Sequence, residues 1–171
     1  MDSVIEQTRE LEVDMMAVAT LKPYARNPRQ HSAQQIRQIA DSVREFGFTN
    51  PLLIDADGGV IAGHGRLEAA KLLGLVHVPT IRLDHMTDAQ KRAYIIADNK
   101  LAENAGWDRE LLALELKELS LNFDITLTGF EMPEIDLLLG ELGGSGSDAA
   151  DEIPEVDTKL LPVNAVEGLA R

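Results

Sequence analysis

A chain of 171 residues with 44% hydrophobic and 26% charged residues has the make-up of one ordinary globular domain with tails, which excludes both a disordered protein and a multidomain machine. The absence of cysteine excludes disulfides, thiolate nucleophiles, iron–sulfur clusters and cysteine-ligated zinc together. Of the net charge of -13, residues 1–14 and 143–171 carry −4 each and residues 15–142 carry −5; no broadly basic surface is left, so tight DNA binding by the chain alone is not expected.

The first 14 residues, with Glu6, Glu10 and Glu12, read as an arm, and Met1–Glu6 has neither the basic nor the apolar region of a secretory signal. Apolar runs such as Leu111–Leu114 stop far short of the ~20 residues that span a bilayer. A cytoplasmic protein without a membrane segment is expected. Met15–Leu21 predicts a strand that stops at Lys22–Pro23, followed by a polar loop, Tyr24 to His31, carrying Arg26 and Arg29. Ser32–Gln35 fits a capping box, and Ile36, Ile39, Ala40, Val43 and Phe46 recur on one face of the helix it opens, with Gly47 as its stop. Leu52–Asp55 and Val60–Ala62 flank Ala56–Gly59 as a hairpin. Gly63–Arg66 then leads into a short helix, Leu67 to Leu73, closed by Gly74, and His77–Leu83 predicts a further strand through Pro79.

A second capping box at Thr87–Gln90 opens a helix towards Leu101. Asp108 caps another, carrying Leu111, Leu112, Leu116 and Leu119, and Pro133 suits the first turn of a last helix ending near Gly140. Gly143–Asp148 has the composition of a linker, and the acidic stretch after it predicts a disordered tail. No helix-turn-helix is legible after residue 105.

The strongest chemical signal is a glycine turn between a strand and a helix. Gly63–His64–Gly65–Arg66 leaves backbone N–H groups open at a helix N-terminus, and Arg66 adds a guanidinium fork suited to phosphate. It matches neither the Walker nor the dinucleotide pattern, and a tight turn that merely needs glycine is the competing reading. Arg29 would supply a second guanidinium, and Asp98 or Asn99 a hard-cation ligand, although a helix C-terminal cap accounts equally for the latter pair. His77 and His85 lack metal-ligand spacing; His64, inside the turn, can donate to a phosphate or act as a base.

Leu21–Arg29, the helix through Phe46–Gly47, Asn50–Ile54 and above all Ile61–Ala70 resemble the ParB N-terminal domain family, which shares its fold with sulfiredoxin and free-serine kinases. The resemblance covers residues 15–105 and implies an α+β fold, a small mixed sheet with packed helices, with a helical extension at 106–142 and the tail at 143–171. It also implies a site for a nucleoside triphosphate, CTP or ATP, with Mg2+, formed by Gly63, His64, Gly65, Arg66 and, more loosely, Asp98, Asn99 and Lys100. The family's acid–arginine pair is replaced by His64–Gly65, which counts against hydrolysis of the partition-protein type, and a chain without cysteine has no sulfiredoxin activity. Gly63–Arg66 followed by Ala97–Ala102 and the Trp107–Asp108 helix is most similar to ParB-like domains of phage and prophage proteins associated with DNA methyltransferases, whose own motifs this chain lacks. The expected function is a nucleotide-binding module acting with DNA-modifying or partitioning machinery. Its expected partners are a methyltransferase or partition-type protein, DNA only weakly, and a second copy. The other readings are a stand-alone nucleoside triphosphatase or phosphotransferase with His64 or Glu68 as base, and a helical docking protein using residues 108–142.

Overall fold

The computed structural model describes residues 11–144. Most of the predicted arm and all of the acidic tail beyond Gly144 lie outside the described residues. Four strands form one mixed sheet: β1 (Val13–Ala17), β2 (Leu52–Ile54), β3 (Val60–Ala62) and β4 (His77–Arg82), in the order β1-β4-β2-β3. β4 is antiparallel to β1 and parallel to β2, and β2 and β3 make the predicted hairpin. β1 starts two residues before the predicted strand, and Val18–Thr20 form a 3-10 turn instead of continuing it. Pro79 is tolerated inside the sheet because it faces Met15 of β1, while pairing with β2 begins at Thr80.

Residues of β2 and β3 alternate between two cores, which explains why these short strands are apolar throughout. Leu52, Ile54, Val60 and Val78 pack with Leu67 and Ala70 of α2 (His64–Leu72), itself backed by α1 (Ala33–Phe46). Ile61 and Leu83, with the half-buried Leu53 and Ile81, pack on the other face against Ile95 of α3 (Asp88–Glu103). Buried Thr80 is satisfied, its hydroxyl donating to the Asp14 carbonyl at 3.0 Å.

The caps decide where the helices begin. Thr87 and Gln90 form the complete capping box at α3. At α1 only half of the predicted box exists: Ser32 accepts from the Gln35 N–H, but the Gln35 side chain turns to His31, 3.0 Å away. The predicted end of the third helix at Asp98–Lys100 is corrected, because α3 runs on to Glu103 with Asn104 as its C-cap. The glycine turn is corrected as well: His64, Gly65 and Arg66 already belong to α2, with Gly63 as its N-cap.

In the hairpin turn the Asp55 carboxylate accepts the N–H groups of Asp57 and Gly59 at 3.0 and 2.7 Å and pairs with Lys91 at 3.3 Å. Burial opposes its charge, but these N–H bonds and the Lys91 ammonium together hold the carboxyl below its ordinary range. A carboxyl depressed in the folded state adds stability above its unfolded pKa and loses it as pH falls through the folded one. The wild type should therefore exceed Asp55→Asn in urea midpoint fully at about pH 6, and the gap should close below about pH 4. A gap independent of pH would contradict this account.

After α3, Asp108 caps α4 (Arg109–Leu119), and α5 (Met132–Gly144) packs on it through Ala113, Leu116, Ile135 and Leu138. α5 extends four residues past its predicted end near Gly140, into the stretch read as linker. Residues 120–131 hold a second 3-10 turn, Ile125–Thr128, which rests on α1, and Phe123 stacks on Phe46 at 5.9 Å. Leu116→Ala should cost about 2–5 kcal/mol in urea unfolding. A cost below about 1 kcal/mol would mean that α4 and α5 do not share a close-packed core.

Candidate functional site

β3 runs straight into α2 through Gly63, whose φ of 95° is left-handed and suits glycine alone among common residues. The first backbone bond of α2 is Leu67 N–H to the Gly63 carbonyl at 2.9 Å, so the N–H groups of His64, Gly65 and Arg66 precede the intrahelical ladder. A cleft of about 180 Å³ at this helix start is lined by Asn27, His31, Ile39, Ala62, Gly63, His64, Gly65, Arg66, Asp98 and Asn99. The Arg66 guanidinium folds back over the helix start and donates to the Asn50 carbonyl at 2.7 Å. Burial works against its charge and Asp98 of α3 supports it. On its other side Arg66 borders a larger cleft of about 500 Å³ between α1, Gly47–Asn50 and Leu127–Gly129.

His64 is held by a bond from outside its helix. The Tyr24 N–H donates to His64 Nε2 at 3.3 Å, so the ring is a neutral imidazole with its proton on Nδ1. Burial first, and neighbouring His31 second, lower its pKa below 6.5, which favours that neutral form. The lone pair a general base would use is therefore already engaged. Asn99 donates its amide N–H to the Ile95 carbonyl at 2.7 Å, which leaves its Oδ1 as an acceptor beside the carboxylate of Asp98.

Six of the sequence-nominated residues, Gly63, His64, Gly65, Arg66, Asp98 and Asn99, thus come together in one cleft. Three do not. Arg29 and Lys100 both turn to Glu103, Arg29 by a close ion pair and Lys100 at 3.3 Å, and so tie the loop to the end of α3. Glu68, one turn into α2, pairs with Lys71 at 2.7 Å and does not line the cleft. Among the lining residues not nominated from sequence are Asn27 and His31. Asn27 carried a legible signal: its side chain accepts from the Arg29 N–H and donates to the Arg29 carbonyl, an Asx arrangement typical of asparagine before proline. His31 gave none, since its place depends on α1 docking on α2.

Residues 2–100 match the model of the ParB N-terminal domain, and residues 110–166 match the ParB-methyltransferase HTH domain. The second match overturns the expectation of no helix-turn-helix after residue 105. Twelve residues with their own 3-10 turn separate α4 from α5, so the sequence shows no tight turn between two helices there. The chain is 45% identical over 85 residues to the ParB-like nuclease domain-containing protein YnaK of Escherichia coli, covering 50% of this chain and 98% of YnaK. It is 32% identical over 93 residues to the chromosome-partitioning protein Spo0J of Thermus thermophilus, covering 52% of this chain but only 34% of that protein. Among solved structures, the C-terminally truncated chromosome-partitioning protein ParB of Caulobacter crescentus, complexed with CTP-gamma-S, superposes with a TM-score of 0.57 at 19% identity, over 78% of this chain and 88% of that one. That likeness concerns the fold. No helix among the described residues is long and apolar enough to cross a membrane.

Proposed function

We propose, from the premise that this chain belongs to the ParB N-terminal domain family, that its cleft clamps the phosphates of a nucleoside triphosphate and that the chain serves DNA-modifying or DNA-partitioning machinery as a nucleotide-responsive module. The observation that carries this reading is the convergence, in one cleft, of three open N–H groups at the α2 N-terminus, the Arg66 guanidinium and the Asp98–Asn99 oxygens. Each element suits a polyphosphate: the helix end and N–H groups attract the anion, and the guanidinium forks onto it. A cleft of about 180 Å³ takes the phosphate part, and the rest of the nucleotide lies outside it. The fold neighbour complexed with CTP-gamma-S supports CTP as the first nucleotide to test, with ATP as its rival.

Mg2+ fits this arrangement in a limited way. No group of three or more His, Cys, Asp or Glu that could hold a metal ion exists among the described residues. Asp98 and the Asn99 Oδ1 supply two oxygens, which suits an ion completed by phosphate oxygens and water. When bound, the ion neutralises phosphate charge beside the carboxylate of Asp98. His64, neutral and held by Tyr24, offers its Nδ1–H as a donor. The Tyr24 bond to His64 Nε2 and the Lys71 pair with Glu68 support a clamp over a stand-alone triphosphatase or phosphotransferase. The match of residues 110–166 supports a DNA methyltransferase as the machinery served, and the resemblance of Gly63–Arg66 to ParB-like domains of phage and prophage proteins supports a phage or prophage setting.

A thermal-shift panel of CTP, ATP, GTP and S-adenosylmethionine, with and without Mg2+, tests the reading. A nucleotide at about 100 times its Kd adds about 2.7 kcal/mol to the folded state, several degrees for a chain of this size. Absence of any shift from every nucleotide, with and without the metal, would sink it.

A further inference from the structure

Charge is divided sharply between the two parts of the chain. Residues 15–105 hold nine acidic and eleven basic residues, a net +2, whereas residues 106–142 hold nine acidic and two basic, a net −7. The acidic part holds the first 33 residues of the match to the ParB-methyltransferase HTH domain, which runs over residues 110–166. Proteins that hold DNA do so with Lys and Arg that neutralise its phosphates. Here α5 carries Glu134, Asp136 and Glu141 and no Lys or Arg. Its leading end is closed by carboxylates: Glu134 accepts the Glu131 N–H at 2.8 Å, and Glu131 accepts from Gln34 at 2.6 Å. Of the two cations, Arg109 is spent on a two-pronged pair with Glu141 at 3.1 and 2.7 Å. A phosphate backbone laid along this surface would meet repulsion at nearly every step.

The same surface carries apolar side chains that α4–α5 packing does not use. Leu111 and Leu114 are 56% and 44% exposed. They lie three residues apart on one face of α4, and helical spacing sets Glu115 beside Leu111, with Glu110 and Glu118 on either side of Leu114. We infer that the outer face of α4 is a protein-docking surface, not a nucleic-acid reader, and that its occupant is a protein surface presenting an apolar ridge flanked by Lys and Arg. Charge complementarity selects that occupant: the leucines give burial, and the three carboxylates orient a cationic partner and reject an anionic one. This goes beyond the nucleotide reading and stands whether or not the cleft binds phosphate.

The full chain tests it, with three fluorescent probes: an amphipathic helical peptide of leucine and lysine, its leucine and glutamate counterpart, and a short duplex DNA. Binding of the lysine peptide and rejection of the glutamate peptide are expected. Leu111→Asn with Leu114→Asn should weaken the lysine peptide about tenfold while net charge and melting temperature stay those of the wild type. Lys117→Glu, which removes the remaining cation of the unit, should leave any DNA affinity unchanged. The inference is overturned if the wild type ignores the lysine peptide, if the asparagine variant binds it unaltered, or if Lys117→Glu weakens DNA binding about tenfold.

Discussion

Arg66→Ala should weaken the stabilising nucleotide about 10- to 150-fold, because two or more charge-assisted bonds to phosphate are worth about 1.5–3 kcal/mol. At a concentration that gives the wild type about 2.7 kcal/mol, a hundredfold loss of affinity leaves about 0.4 kcal/mol, so the thermal shift all but disappears. The free protein should lose only about 1 kcal/mol, since Arg66 also donates to the Asn50 carbonyl at the edge of the cleft. Arg66→Lys separates charge from geometry: an ammonium keeps the attraction to phosphate but not the planar fork, and an intermediate shift is expected. A full nucleotide shift in Arg66→Ala, measured beside its apo melting temperature, would remove Arg66 from the clamp.

Gly63→Val should be the most destabilising single change at the site. The left-handed backbone there costs an L-residue about 1–2 kcal/mol. A Cβ would also stand 2.5 Å from Leu52 Cδ2 in the main core and 3.0 Å from Arg66 Nη2. Overpacking a fully buried leucine adds about 1–3 kcal/mol, giving a total of about 2–5 kcal/mol, or roughly 10 °C. Gly47→Ala is the control. Its φ of 80° carries the same kind of backbone cost, but nothing lies within 4 Å of the added carbon. The expected result is a loss of about 1–2 kcal/mol for Gly47→Ala and clearly more for Gly63→Ala. Equal losses would mean that Leu52 yields easily and that the turn tolerates side chains.

Local order was largely readable because it depends on residues a few positions apart. Ser32, Thr87 and Asp108 cap their helices as their spacing predicts, and Gly63–Arg66 stood out because a glycine turn between strand and helix needs no distant partner to be recognised. Of the two readings open at Asp98–Asn99, the C-terminal cap falls away because α3 continues to Glu103, which nothing within four residues of Asp98 signals. α4 and α5 are legible as helices, but their packing on each other is not, because they meet across a long, locally structured connection.

The α+β class, the hairpin, the caps and the glycine turn follow from backbone preference and short-range periodicity. Which charges face the cleft depends instead on contacts between distant parts of the chain. Arg29 and Lys100 look like phosphate ligands in sequence, yet Glu103 draws both away, Arg29 from 74 residues up the chain. Asp98 and Asn99 reach the α2 N-terminus because Ile95 packs under β3 and fixes the turn of α3 that carries them. A charged side chain takes its direction from the strongest partner within reach, and packing of the cores determines which partners those are.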